Sequence, residues 1–143
     1  DYIGFLETIK KHIKKKHKKA IILGSGGASK AIVHALEKIN ISSSIVSRNN
    51  KKGDLKYQDL DSEIVESNHI IINCTPLGTF PNVNECPDIP YKNISERHIC
   101  FDLIYNPNET KFLRNCKKRK ATVINGMKML EIQAEESWKI WNL

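Results

Sequence analysis

The strongest constraint on this chain lies in residues 20–39. Ala20-Ile21-Ile22-Leu23 is a short unbroken apolar run, the pattern of a strand covered on both faces, and Gly24-Ser25-Gly26-Gly27-Ala28-Ser29 closes it at once. From Lys30 to Ile39 the residues Ala31, Val33, Ala35, Leu36 and Ile39 recur at helical spacing, with Asn40 as the stop. A strand, a glycine-rich turn and a helix in immediate succession put free N–H groups at the helix N-terminus, where a phosphate can bind. Gly24 would allow the tight turn, and Gly26 would let the backbone approach a pyrophosphate with no Cβ in the way. Ser29 is small enough for close helix packing. Such turns also arise for steric reasons alone, but the flanking strand and helix single out phosphate binding here.

The alternation continues along the chain. Ser44 to Ser47 reads as a second strand, Asp61 to Ser67 as a short helix and His69 to Asn73 as a third buried strand. Pro76 to Pro90, rich in Pro, Asn and Gly, is a loop long enough to be functional. Ile99 to Ile104 returns to strand, Asn106-Pro107 breaks the chain, and Glu109 to Lys118 is helical. Ala121 to Ile124 is a last strand, and Asn125-Gly126 leads into a long helix from about Lys128 to Trp141. Strands alternating with helices predict an α/β fold: a Rossmann-like doubly wound parallel sheet, helices on both faces, in a single three-layer domain. A chain of 143 residues is the size of one such domain.

Charge excludes less than it first suggests. The formal net charge is +7, but Lys10 to Lys19 holds seven lysines and no acid, leaving 16 basic and 16 acidic residues elsewhere. A nucleic-acid surface needs cations spread over a face, so one short run is weak evidence for that role, and a basic nucleic-acid binder using Lys10 to Lys19 is the lesser reading. Ile3, Leu6, Ile9 and Ile13 recur at intervals of three and four, which predicts an amphipathic helix with the lysines as its solvated end. Cys74, Cys86, Cys100 and Cys116 form no CxxC pair and are read as reduced, buried thiols. No apolar run reaches the roughly 18 residues of a membrane span. The opening DYIGFLETIK has no signal-peptide pattern, so a cytoplasmic location is expected.

The end of the second strand bears on cofactor choice. A carboxylate there accepts from a ribose 2′-OH, whereas an arginine favours a 2′-phosphate. This chain reads Ser47-Arg48-Asn49-Asn50-Lys51-Lys52, with no carboxylate. A guanidinium can grip a phosphate through two parallel N–H bonds, which favours NADP over NAD.

Taken in order, GSGGAS, Ser47-Arg48-Asn49, Asn73-Cys74-Thr75-Pro76-Leu77-Gly78, Asp102 to Pro107, and Asn125-Gly126-Met127-Lys128-Met129-Leu130 with Ile132-Gln133-Ala134 resemble the shikimate dehydrogenase family. The opening DYIGF is similar to the family's N-T-D-x-x-G-F segment entered at its aspartate. The resemblance implies a fragment. Residues 1–18 would be a leading helix, the family's interdomain connection, and residues 19–143 the NADP-binding domain. The N-terminal substrate domain, with the lysine that partners the aspartate, would be absent. The family reduces 3-dehydroshikimate to shikimate with NADPH in aromatic amino-acid biosynthesis, and the isolated chain would be inactive.

By the same resemblance Asp1 is the catalytic-pair carboxylate and binds a substrate hydroxyl, and Tyr105 and Gln133 touch substrate. Gly24, Ser25, Gly26, Gly27 and Ala28 would hold the pyrophosphate. Ser47, Arg48, Asn49, Asn50, Lys51 and Lys52 would hold the 2′-phosphate. Cys74, Thr75, Pro76 and Leu77 would line the cofactor channel, and Leu103, Gly126 and Met129 would lie beside the nicotinamide. The family often has Asn-Arg-Thr where this chain has Ser47-Arg48-Asn49, which keeps the arginine and changes its flanks.

Plainer readings stand beside these. Gln133 could be a solvated helix residue and Tyr105 a core aromatic whose hydroxyl reaches backbone. Trp138 and Trp141, three apart on the last helix, read as packing anchors or as a docking face for the missing parts. The alternatives for function are a quinate-type relative with relaxed cofactor use and a non-catalytic nucleotide-binding module.

Overall fold

In the computed structural model, which describes residues 2–49 and 53–142, helix α1 (Ile3–Ile9) precedes strand β1 (Lys19–Leu23) and helix α2 (Gly27–Lys38). Strands β2 (Ser42–Ser47) and β3 (Leu55–Lys56), helix α3 (Ser62–Ser67) and strand β4 (Ile70–Asn73) follow. The chain ends with β5 (Ile99–Asp102), α4 (Lys111–Lys118), β6 (Thr122–Ile124) and α5 (Met127–Trp141). The strands form one sheet in the order β3-β2-β1-β4-β5-β6, and every pair is parallel. This is the expected Rossmann-like α/β architecture, with the strand order reversing between β1 and β4.

The unbroken apolar strands are explained by their two covered faces. On β1, Ile21 and Leu23 join Val46, Ile71 and Cys100 under Val65, Phe112 and Leu113. Ala20 and Ile22 face the other way and join Ile70, Ile72 and Phe101 under Phe5, Ile9, Ile32 and Leu36. The period of two in the strand divides consecutive residues between the layers. Phe5 meets Phe101 edge-on, with ring centroids 5.0 Å apart. Each fully buried side chain of this size contributes about 1.5–3 kcal/mol.

Three expectations are corrected. The leading helix over residues 1–18 is shorter than the pattern suggested: α1 stops at Ile9, its last buried residue, and the lysine run lies in turns. Lysines at successive helical positions would repel one another, whereas turns let them stand in water and bring His17 into the interior, its Nδ1 accepting from the Lys14 N–H at 2.9 Å. Strand β3 was not anticipated, because two residues carry no periodicity. Only seven residues, 48–54, separate it from β2, too few for a crossover helix. They suffice because β3 pairs with the carboxyl end of β2 alone, Val46 with Leu55 and Ser47 with Lys56. Finally, Trp138 and Trp141 are 67% and 87% exposed, so they anchor nothing among the described residues.

The helix starts follow from capping. Asp61, expected as the first residue of α3, is its N-cap and accepts the Ile64 N–H at 2.9 Å. Thr110 caps α4 in the same way, accepting from Leu113 at 3.2 Å. Among the described residues, no helix is long and apolar enough to cross a membrane.

Candidate functional site

At the carboxyl ends of β1, β2 and β4 lies a cavity of about 600 Å³. It sits where the strand order reverses, the place at which open α/β sheets bind ligands. Gly24, Ser25 and Gly26 form one wall, Ser47 and Arg48 another, and Cys74, Thr75, Pro76 and Leu77 a third. The sequence had marked all nine, and the fold brings them together.

Gly24 is required twice over. Its φ is +106°, and a Cβ there would meet Thr75 Cγ2 at 3.1 Å and the Cys74 carbonyl carbon at 3.3 Å. Its N–H donates to Val46 and the Cys74 N–H donates to Leu23, both at 2.8 Å, which ties the three strand ends together. Gly26 and Gly27 differ. A Cβ on either would meet no protein atom within 4 Å, so nothing in the chain itself excludes a side chain there. Open space over the N-terminus of a twelve-residue helix is what an approaching phosphate requires. Ala28 follows in the first turn of α2, exposed, and Ser29 is buried, its Oγ donating to the Gly26 carbonyl at 2.5 Å.

Arg48 is exposed at the mouth of the cavity, its charge free to meet an anion. The Ser47 hydroxyl beneath it donates to the Asn49 carbonyl. Asp1, Asn50, Lys51 and Lys52 lie outside the described residues.

The third wall rests on a buried polar network. Asn73 Oδ1 accepts from the Thr75 N–H at 3.0 Å and the Thr75 hydroxyl at 2.7 Å, and Thr75 Oγ1 in turn accepts the Leu77 N–H at 3.2 Å. Asp102 accepts from the Asn73 amide (3.2 Å), the Ile104 N–H (3.0 Å) and the Thr110 hydroxyl (2.7 Å). Burial raises the Asp102 carboxyl to about 6, and these three donors restrain the rise. The Cys74 thiol is pushed up to about 12 by burial, assisted by the nearby Asp102 charge, so at neutral pH it is an unreactive thiol.

The remaining candidates lie elsewhere, around β5, β6 and α5. Gly126 donates its N–H to Ile104 at 3.0 Å, and a Cβ on it would collide with the Leu103 carbonyl oxygen. Leu103 and Met129 pack, half-buried, on the layer of Phe5 and Phe101. Tyr105 is 46% exposed on the loop after β5, which removes the core-aromatic reading. Gln133 is half-buried on α5 beside the buried Ile132. None of these five lines the cavity.

Sequence reasoning missed three lining residues, Tyr57, Cys86 and Asp88, which sit in segments without periodicity. It also missed Thr110 and the role of Asn73 and Asp102. A signal for the latter pair existed: each is a polar residue closing an apolar strand, in HIIIN and ICFD.

No family model matches the chain. Over its whole length it is similar to curated proteins named shikimate dehydrogenase (NADP(+)). That from Clostridium botulinum strain Hall is 38% identical over 152 aligned positions, covering 100% of this chain and 58% of the relative. Among solved structures, a shikimate dehydrogenase in complex with NADP+ superposes with a TM-score of 0.77 at 33% identity, covering 97% of this chain and 54% of that one. The Thermus thermophilus shikimate 5-dehydrogenase, in complex with NADP(H) and shikimate, gives 0.80 at 26% identity, covering 96% and 54%. The chain thus spans little more than half the length of these proteins.

Proposed function

We propose that this chain is the cofactor-binding domain of an NADP-dependent shikimate dehydrogenase, an oxidoreductase acting on a CH–OH group. The carrying observation is that all nine residues of the cavity walls named above are ones the family resemblance assigns to the cofactor, in a chain similar to such enzymes from end to end.

The residues present fit NADP. The open space over Gly26 and Gly27 admits a pyrophosphate, and Arg48 opens onto the same cavity. NADPH, when bound, supplies the hydride that turns the carbonyl of 3-dehydroshikimate into the hydroxyl of shikimate. The N–H groups of Gly24 to Ala28 hold the pyrophosphate, Ser47 to Lys52 hold the 2′-phosphate through Arg48, and Cys74 to Leu77 line the channel. Leu103, Gly126 and Met129 bound the nicotinamide. Tyr105 and Gln133 orient substrate, and Asp1 positions the lysine that the N-terminal half brings. The stretch from α1 to Lys18 leads in from that half, and exposed Trp138 and Trp141 face it. The seven lysines run up to and into the first residue of β1, at the opposite end of the sheet from the cavity, and take no part in phosphate binding. A cytoplasmic location goes with this reading, in keeping with four free cysteines.

Calorimetric titration with NADPH and NADH tests the cofactor assignment. Preference for NADPH is expected, and no binding of either, with or without the N-terminal half of such an enzyme, would overturn it. Reduction of 3-dehydroshikimate is expected only when that half is supplied. Normal turnover by the chain alone would refute the division of labour.

A further inference from the structure

The two-residue strand β3 fixes the position of Tyr57. Val46 pairs with Leu55 and Ser47 with Lys56, so Arg48 and Tyr57, the residues that follow, leave neighbouring strand ends. Both side chains line the cavity. The Tyr57 ring packs against the apolar layer that contains Leu23 and Val46, which leaves the hydroxyl as the part it offers. That hydroxyl lies within electrostatic reach of both Arg48 and Cys74, which line the same cavity. Burial raises the phenol above its ordinary range, outweighing the opposing guanidinium, and the group is a neutral O–H donor at physiological pH. Among the described residues it makes no hydrogen bond. A directional neutral donor lining the same cavity as an exposed guanidinium suits a dianionic oxygen group. The cation supplies the attraction, and the phenol supplies one short, charge-assisted bond.

We propose that Tyr57 is a specificity residue of this cavity, its O–H donating to the same phosphate that Arg48 pairs with, the 2′-phosphate that distinguishes NADP from NAD. This rests on the reading of the cavity as an NADP site.

The test compares the chain with its Tyr57→Phe and Arg48→Ala variants, titrated with NADPH, NADH, 2′,5′-ADP and 5′-AMP. Phe keeps the ring and its packing, so an unchanged thermal midpoint certifies the fold. Tyr57→Phe is expected to weaken NADPH and 2′,5′-ADP roughly tenfold, the scale of one hydrogen bond to a charged group, and to leave NADH and 5′-AMP within about twofold. Should Arg48→Ala abolish the NADPH preference while Tyr57→Phe leaves it intact, the tyrosine's role is overturned and the NADP reading survives. Equal weakening of all four ligands by Tyr57→Phe likewise overturns it. A parent chain that binds 2′,5′-ADP no better than 5′-AMP would overturn both.

Discussion

Asn73 and Asp102 close neighbouring strands at the same register position, and the Asn73 amide donates to the Asp102 carboxylate at 3.2 Å. Both residues are fully buried. Through them the Thr75–Leu77 wall of the cavity is coupled to the loop after β5, at Ile104, and to the start of α4, at Thr110. The polar atoms sit inside the fold, yet what they hold in place is the surface that a ligand meets.

Replacing Asp102 by Asn removes an acceptor where three donors converge. One carboxylate oxygen becomes an amide that faces an N–H or O–H, and the cost of an unmet buried group is about 1–3 kcal/mol. A fall of roughly 3–10 °C in the thermal midpoint is expected for a chain of this size. An unchanged midpoint would show that the network contributes nothing to stability.

The pH dependence of folding has two opposed parts. Asp102 stands at about 6 in the fold against an ordinary 3.8, so the stability it contributes is complete below about pH 4 and lost as pH rises through 6. Burial lowers His17 and His98, whose Nδ1 atoms already accept backbone N–H groups at 2.9 and 3.1 Å. Their contribution is present above about 6.5 and lost as pH falls. Acidification from pH 7 to 4.5 should therefore destabilise the Asp102→Asn variant more steeply than the parent, because the offsetting proton uptake is gone. Urea unfolding at three pH values measures this, and parallel curves would contradict the assignment of Asp102.

Gly26 and Gly126 should respond differently to the same change. Gly26→Ala meets no protein atom, so folding should change by less than about 1 kcal/mol while NADPH affinity falls at least tenfold. Gly126→Ala drives a methyl into the Leu103 carbonyl and should cost about 2 kcal/mol or more in stability. Chemical denaturation beside calorimetry separates the two. If Gly26→Ala binds NADPH normally, the turn is only a scaffold.

Arg48→Ala should weaken NADPH by about 1–3 kcal/mol and NADH by much less, since only the former carries the 2′-phosphate. Equal weakening in the two titrations would remove Arg48 from that role.

The parts of this fold that were legible in the sequence share one property, local periodicity. The apolar runs at Ala20–Leu23 and His69–Asn73 could only be strands buried on both faces, and Gly24 to Ser29 could only be a turn onto a helix. What escaped notice depends on distant pairing. Leu55–Lys56 is a strand because the end of β2 is there to receive it, and Tyr57 enters the cavity for the same reason. The length of α1 escaped for a related cause. The spacing of Ile3, Leu6, Ile9 and Ile13 fits a helix throughout, but tertiary burial of His17 redirects the backbone after Ile9. Of the candidate site, the walls were readable from Gly24, Arg48 and Thr75. The Asn73–Asp102 support beneath them became visible only once β4 and β5 lay side by side.

The brevity of β3 leaves a mark on the solution behaviour of the domain. Alternate residues of β2 turn to β1, the Ser42 N–H donating to Lys18 at 3.1 Å, and Ile45 is met by Asp54, so among the described residues it is Ser43 whose outward backbone groups meet no strand. Such an edge invites an extended strand from another molecule, and three consecutive serines, small and well hydrated, offer that strand no apolar side chains to grip. The serine run thus leaves an incoming strand little to hold where the short β3 ends its cover of β2.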